Sequence, residues 1–195
     1  LDVKVLIADS SWHRLRVARL AGLKVFYGQI LSDFADESVE ISHVMTVLAA
    51  TDNDAYNALV CTALAPDIGR DRVFQLPMGP GEDDDPRGVA SGLRGKMAFG
   101  ESAEYENLWR LHLDGWSFTK TRLTESYTFS DFLGDMDSRA LQILRMKPDA
   151  RVRFLSPQAD IEPEAGDVLV CYGPPRPADP DSRPSGKSAP ESLPG

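Results

Sequence analysis

Short apolar runs alternate with helical segments over residues 1–78, and this alternation restricts the fold more than any other feature of the chain. Short apolar runs predict strands at 3–8, 23–27, 44–50 and 72–76, and the first of these is rich in β-branched residues. Helices are predicted between them, from Ser11 to Gly22, over 33–42, and over 54–65, where Pro66 is expected to stop the helix. Parallel strands need a crossover connection, which is usually helical. The alternation therefore favours an α/β, Rossmann-like parallel sheet whose first strand is buried on both faces.

Composition divides the rest of the chain. Residues 79–95 are interpreted as an acidic Pro/Gly linker, because four consecutive acids at 82–85 lie between prolines and glycines. Residues 174–195 hold seven of the 14 prolines and no aromatic or β-branched residue, so a disordered tail is expected there. Residues 96–173 predict a small α+β domain, with a helix at 102–114 and strands at 116–124, 140–146, 151–155 and 167–172.

Charge and hydropathy exclude several classes of protein. The chain has 30 acidic and 21 basic residues, a net charge of -9, which argues against a nucleic acid partner because phosphates are bound by clustered cations. No apolar run approaches the roughly 20 residues that a membrane-spanning helix needs. Cys61 and Cys171 lie far apart and make no disulfide framework, which is typical of a protein in a reducing cytosol.

Small or polar residues follow three of the predicted strands. Asp9 ends the first strand, and a carboxylate in that position can accept hydrogen bonds from two ribose hydroxyls. Ligands of doubly wound sheets bind beyond the carboxyl ends of the strands, where these residues would meet. We therefore predict a nucleotide-binding crevice lined by Asp9, Ser10, Gly28, Thr51, Asp52 and Asn53.

The same residues also have a purely local interpretation. Asp9 can stabilise the start of a helix through the helix dipole, and Asp52 and Asn53 are good N-caps. A basic stripe of Arg14, Arg16 and Arg19 on the first helix could meet a phosphate or an acidic partner, although such a stripe is more often a solvated face.

One expected element of a dinucleotide fold is missing. A G-x-G-x-x-G loop should follow the first strand, with the acid about 20 residues later at the end of the second strand. Here the first visible strand already carries the acid, so residues 3–8 correspond to the second strand of such a fold. In the strand order 3-2-1-4-5 the missing strand is the central one. We expect that strand and its glycine loop to precede Leu1.

Catalytic motifs are weak. His13, His43 and His112 do not have metal-ligand spacing with one another or with the cysteines. No G-x-S-x-G elbow is present. Cys61 is interpreted as a small buried helix residue rather than a nucleophile. The sequence therefore predicts no catalytic residue and no metal site, and we expect a protein that is not an enzyme.

Several strings together resemble a known family. In chain order they are KVLIADSSWHRLRVARLAGLKVFYGQILSD, VLAATDNDAYNALV, RDRVFQLPM, RGKMAFGESAEYENL and TRLTESYTFSDFL. The first three resemble the nucleotide-binding half of regulators of potassium conductance, the RCK or TrkA-N domains. With the last two, the chain is more similar over about residues 3–173 to the cytoplasmic C-terminal region of NhaP-like cation/proton antiporters.

The resemblance implies a regulatory role without covalent chemistry. Asp9 would hold the ribose of NAD(H) or another adenine nucleotide, and residues 51–53 would lie near the adenosine. Gly28 matches the glycine of a G-D-A-T-like string, which here reads GQIL and lacks the acid. The implied partners are an upstream transmembrane antiporter domain, at the cytoplasmic face of the membrane, and a second copy in a homodimer through the Rossmann unit. Two alternatives stay open: part of an NAD-dependent oxidoreductase, or an interaction module with a vestigial nucleotide site.

Overall fold

The computed structural model describes residues 3–33, 35, 43–79, 88–156 and 162–175. Most of the predicted helix at 33–42, the acidic run at 82–85 within the predicted linker, and the tail from residue 176 onward lie outside the described residues, as does Leu1. Within those ranges the chain is a mixed α/β protein with parallel and antiparallel sheets and four α-helices, consistent at a coarse level with a Rossmann-like fold.

The chain begins with a parallel strand–helix–strand unit. Strand β1 spans Leu6–Asp9, helix α1 spans Trp12–Leu20 and strand β2 spans Lys24–Tyr27. The two strands pair in parallel, with Leu6 opposite Lys24 and Asp9 opposite Tyr27. Gly22 ends the turn after α1 with a φ of 79°, a conformation in which glycine has no steric cost. This unit places Asp9 at the carboxyl end of its strand, as the sequence predicts.

A second parallel sheet follows. Its elements are strand β3 at Val47–Ala49, helix α2 at Asp54–Ile68, strand β4 at Val73–Gln75 and strand β5 at Lys96–Met97, with a 3₁₀ turn at Ser91–Leu93 before β5. The strands are ordered β3-β4-β5 and all are parallel. Helix α2 packs its apolar side on this sheet, and Cys61 and Val73 are among the fully buried residues between them.

The expectation that the first strand is buried on both faces is wrong. In β1 only half-buried and exposed residues occur, and Ala8 is exposed. Among the described residues β1 pairs with β2 alone, and the sheet β1-β2 is not hydrogen-bonded to the sheet β3-β4-β5. Burial on both faces needs a layer packed on each face, and among the described elements helix α1 is the helix in close contact with β1.

The expected stop at Pro66 is also wrong, because α2 continues through it to Ile68. Proline removes one backbone donor and disfavours helix on its amino side. Here it lies in the last turn, and Ile68 is only 2% exposed in the core. Burial of Ile68 therefore favours one further turn, which ends at Gly69 with a φ of 101°.

The second part of the chain forms an antiparallel sheet with a helix on each face. Helix α3 spans Tyr105–Leu113 and helix α4 spans Phe129–Asp135. The strands are β6 at Ser117–Arg122, β7 at Leu141–Met146, β8 at Val152–Phe154 and β9 at Val168–Gly173, in the order β6-β9-β7-β8. Leu108 and Leu111 of α3 pack on one face, and Phe132 of α4 packs on the other.

Two elements were not predicted. Helix α4 begins at a capping box in which Thr128 and Asp131 exchange hydrogen bonds with each other's backbone N–H. Strand β5 consists of two residues, too few to leave a periodic pattern, and it extends the parallel sheet beside β4.

Aromatic packing connects the parallel and antiparallel parts. The ring of Phe154 lies edge-on to Phe74 and to Phe99, with centroids 5.6 Å apart in each pair. The backbone N–H of Phe99 also donates to the carbonyl of Leu155 at 2.8 Å. These contacts hold the turn after β5 against the end of β8.

Candidate functional site

The candidate site lies where β1 and β3 end. Asp9 closes β1, and its Oδ1 accepts a hydrogen bond from the backbone N–H of Ser11 at 2.6 Å. This bond stabilises the turn into α1, so Asp9 has a local role beside any role in binding. The carboxylate keeps acceptor capacity on Oδ2, and its side chain is 25% exposed.

The Arg14 side chain lies between the ends of the two strands. Its Nη1 lies 3.8 Å from Oδ2 of Asp9, and its Nη2 lies 3.8 Å from Oδ2 of Asp52. Because the guanidinium and the Asp52 carboxylate are more than half exposed, each contact is worth only about 0–1 kcal/mol. The three groups therefore form a loosely held cluster.

The loop after β3 is held by a buried amide. Asn57 on α2 is fully buried, and its Oδ1 accepts from the Thr51 hydroxyl at 2.7 Å and from the Thr51 N–H at 3.0 Å. Its Nδ2 donates to the Thr51 carbonyl at 2.9 Å. Asn53 caps α2, since its Oδ1 accepts from the N–H of Tyr56 at 2.9 Å. Thr51 and Asn53 thus shape the loop, while Asp52 is left to face solvent beside Arg14.

Gly28 fixes the neighbouring strand end. Its N–H donates to the Asp9 carbonyl at 3.1 Å, and its φ is 147°. A Cβ at this position would lie 3.2 Å from the Phe26 ring, which adds a steric reason for glycine. Ser10 is exposed directly after Asp9.

The structure therefore brings only some of the predicted residues into contact with one another. Asp9 and Asp52 meet through Arg14, Gly28 contacts the Asp9 backbone, and Thr51 and Asn53 are engaged in local hydrogen bonds. Arg14 was expected chiefly to be part of a solvated face, and its sequence signal, a cation five residues after the acid, is not specific. Asn57 was not identified at all, although an amide within an otherwise apolar helix is a detectable signal for a buried hydrogen-bonding role.

A separate cavity of about 490 Å³ lies between α2, β4 and β5. Its lining includes Cys61, Gln75 and Lys96, and none of the six residues predicted for the nucleotide site. Burial raises the pKa of the Cys61 thiol to about 11, so this cysteine is poorly suited to act as a nucleophile.

Neither a metal-binding cluster nor a membrane-spanning helix is present among the described residues. Over those residues, no group of three or more His, Cys, Asp or Glu side chains is arranged to hold a metal ion. In the same ranges, none of the helices combines the length and the apolar character required to cross a membrane.

Comparison with known proteins finds similarity among solved structures. No family model matches the chain, and no curated protein matches it. Among solved structures, the crystal structure of the GsuK RCK domain is similar, with 13% sequence identity and a TM-score of 0.30. The aligned region covers 87% of this chain and 43% of that structure, so the chain spans less than half the length of its neighbour. A likeness at this TM-score carries no argument about function.

Proposed function

We propose that the parallel part of this chain is the nucleotide-sensing element of a cytoplasmic regulatory region, belonging to a monovalent cation (Na⁺ or K⁺)/proton antiporter. The observation that carries the nucleotide proposal is the Arg14 bridge between Asp9 and Asp52. It joins two carboxylates at the carboxyl ends of separate parallel strands, the edge at which doubly wound sheets bind ligands. The transport context rests on the sequence resemblance alone.

Each residue of the cluster has a role in this proposal. Asp9 accepts hydrogen bonds from the two ribose hydroxyls of NAD(H) or another adenine nucleotide, in exchange for its weak contact with Arg14. The released guanidinium is then able to pair with a phosphate, which it binds in a bidentate manner. Asp52 and the loop fixed by Asn57 form the opposite wall of the crevice.

The break between the two parallel sheets supports an incomplete nucleotide fold. A parallel strand placed between β1 and β3 would give the order β2-β1-strand-β3-β4-β5, which is the strand order of a dinucleotide fold. It would also pair the backbone of β1, which is only half-buried without it. The glycine loop after such a strand would supply the backbone N–H groups that bind a pyrophosphate. The 195-residue chain alone should therefore bind nucleotides weakly.

Regulation would follow from differential binding. A nucleotide shifts a transporter between states only by the difference in its affinity for them. In this proposal the crevice changes shape when Asp9 and Asp52 close on the ligand. The change is passed to an attached transmembrane domain through a homodimer of the nucleotide-binding units.

Calorimetric titration tests the proposal. The chain is compared with a version extended at its amino terminus by a β-strand and a G-x-G-x-x-G loop, and NADH, NAD⁺ and ATP are each titrated. The extended chain should bind at least one of them, and Asp9→Ala should weaken binding by about 1–3 kcal/mol through lost charge-assisted hydrogen bonds. Asp67→Ala, which removes an exposed carboxylate at the far end of α2, is the matched control and should change nothing.

A second candidate is an interaction module whose nucleotide site is vestigial. It is favoured by the fact that Asp9, Thr51 and Asn53 already have hydrogen-bond partners within the chain. If the extended chain folds, as judged by circular dichroism, and binds none of the three nucleotides, this second function replaces the first.

A further inference from the structure

Strand β6 is an exposed edge of the antiparallel sheet. Within the residues that the structure describes it pairs with β9 alone. Its residues from Ser117 to Lys120 are exposed on both faces, and Phe118 is 67% exposed although its ring contacts Tyr172 at a centroid distance of 4.7 Å. An exposed edge strand of this length is a template for pairing with another strand.

The direction of the backbone groups along β6 follows from its pairing. At the end of the strand, the Leu123 N–H donates to the Asp167 carbonyl at 2.9 Å, and the Leu123 carbonyl accepts from Gly166. Backbone groups alternate in direction along a strand. The N–H and C=O groups of Phe118, Lys120 and Arg122 therefore point away from β9, toward the open edge.

We propose that β6 pairs antiparallel with β6 of a second copy of this chain, on a twofold axis at Thr119. Phe118 of one copy then forms the outward hydrogen-bonded pair with Lys120 of the other, and Trp116 lies opposite Arg122. Both cations thus meet aromatic side chains on the same face of the sheet, an arrangement that favours cation–π contact. The opposite face places Thr119 against itself and Ser117 against Thr121, which are pairs of hydroxyl side chains.

Other registers fit less well. Only registers that pair even-numbered residues satisfy the outward backbone groups. Centring the axis on Lys120 sets two lysines directly opposite each other, which is destabilising. Centring it on Phe118 keeps only residues 117–119 of β6 in the ladder, whereas the Thr119 axis keeps 117–121. In the Thr119 register the cations of one β6 strand face the aromatic residues of another. A second copy of this chain is therefore the partner that fits the β6 edge.

The competing interpretation is that Lys120 and Arg122 protect the edge from pairing, as charged residues often do. Sedimentation equilibrium of the full chain over a range of concentrations separates the two. The proposal predicts a reversible dimer. It is overturned if the chain stays monomeric at its highest soluble concentration.

Charge exchange tests the register. Phe118→Lys sets lysine against Lys120 at both hydrogen-bonded pairs and should raise the dimer dissociation constant by about tenfold or more, since like charges directly opposite are destabilising. The double variant Phe118→Lys/Lys120→Phe restores one cation opposite one aromatic residue and should recover dimerisation.

Leu20→Lys is the matched control, because it adds the same charge at an apolar residue of α1 that is 76% exposed. If Phe118→Lys leaves the dimer intact, the dimer uses another surface and the proposal is overturned. The proposal is also overturned if the double variant does not recover dimerisation. Circular dichroism of each variant confirms that the monomer stays folded. This dimer does not depend on nucleotide binding, so the calorimetric test and the sedimentation test can fail separately.

Discussion

A buried ion pair at the end of the two central strands of the antiparallel sheet should be the most sensitive ion pair among the described residues. Arg145 on β7 donates from Nε to Oδ2 of Asp167 at 2.6 Å, and its Nη2 lies 2.5 Å from the same oxygen. The two side chains are only 7% and 3% exposed. The same oxygen accepts from the N–H of Glu164 at 2.8 Å, which fixes the turn into β9. Asp167→Asn keeps the shape of the side chain and removes the charge.

The expected loss is large because a charged partner is left behind. Removing one member of a buried pair leaves the other uncompensated in the sheet, at a cost of about 3–5 kcal/mol. This is a large share of the roughly 5–15 kcal/mol that stabilises a typical folded domain. For a chain of this size it corresponds to a fall in Tm of about 6–20 °C, at roughly 2–4 °C per kcal/mol. Arg145→Met should cost a comparable amount, since it leaves the Asp167 carboxylate unpaired.

Urea unfolding of the two single variants and the double variant measures this coupling. Circular dichroism follows the whole chain. Tryptophan fluorescence includes Trp116, which contacts Tyr172 of the same sheet at a centroid distance of 5.6 Å. The double variant should lose about 0.5–3 kcal/mol less than the sum of the two singles. Strict additivity, or a loss below about 1 kcal/mol for Asp167→Asn, would refute the reasoning.

The exposed pair of Asp137 and Arg139 is the matched control. Its geometry is equally close, with Nη2 and Oδ2 2.8 Å apart, and the hydrogen bonds from Arg139 lower the pKa of Asp137 to about 2. Water solvates both groups, since the Asp137 side chain is 38% exposed and the Arg139 side chain is 67% exposed. Asp137→Asn should therefore leave the unfolding midpoint close to that of the parent chain.

Three further predictions concern packing, ionisation and capping. Gly95→Ala should destabilise the parallel sheet by about 1–3 kcal/mol, because the new Cβ would lie 2.5 Å from Cys61 Sγ. In urea unfolding, adding Cys61→Ala to that variant should restore part of the lost stability. Burial raises the pKa of the Cys61 and Cys171 thiols from 9.0 to about 11, so the contribution of these thiols to stability should be constant below pH 9 and fall between pH 9 and 11, where only the thiols of the unfolded chain ionise; both thiols should react with a disulfide reagent at pH 8 only after unfolding. Thr128→Ala should cost about 1 kcal/mol of stability by removing the cap of α4, and in an NMR titration it should raise the pKa of Asp131, which hydrogen bonds from Thr128 hold below its usual range.

The strands and helices of the parallel part could be predicted because their signals are local. Periodic apolar runs gave the positions of β1 to β4, and capping residues marked the starts of α1 and α2. The length of α2 was not predictable from Pro66, since its last turn depends on the burial of Ile68 among residues distant in sequence. Strand β5 depends on pairing with β4, which no local pattern reports.

The candidate site was predictable in position but not in chemistry. The predicted strands put Asp9 at the end of β1 and Asp52 just after β3, and the structure has them there. The rule that ligands bind at strand ends made them candidates. What the rule omits is which neighbours compete for these groups. The Ser11 N–H and the Arg14 guanidinium both contact the Asp9 carboxylate and so compete with a ligand for it. This competition depends on the folded arrangement of β1 and α1, which no local sequence pattern reports.

The described residues leave open strand edges in two different environments, and the difference predicts different occupants. The β1 and β3 edges belong to short parallel strands of half-buried apolar residues, and backbone groups in such surroundings need a permanent partner. The β6 edge carries mostly exposed hydroxyl and basic side chains together with the exposed Phe118, and its outward backbone groups are satisfied by water when no partner is present. A strand covalently linked to the chain suits the first gap, and a reversible second copy suits the second. Nucleotide affinity of an extended chain should then be independent of protein concentration below the dimer dissociation constant, whereas pairing through β6 should vanish on dilution.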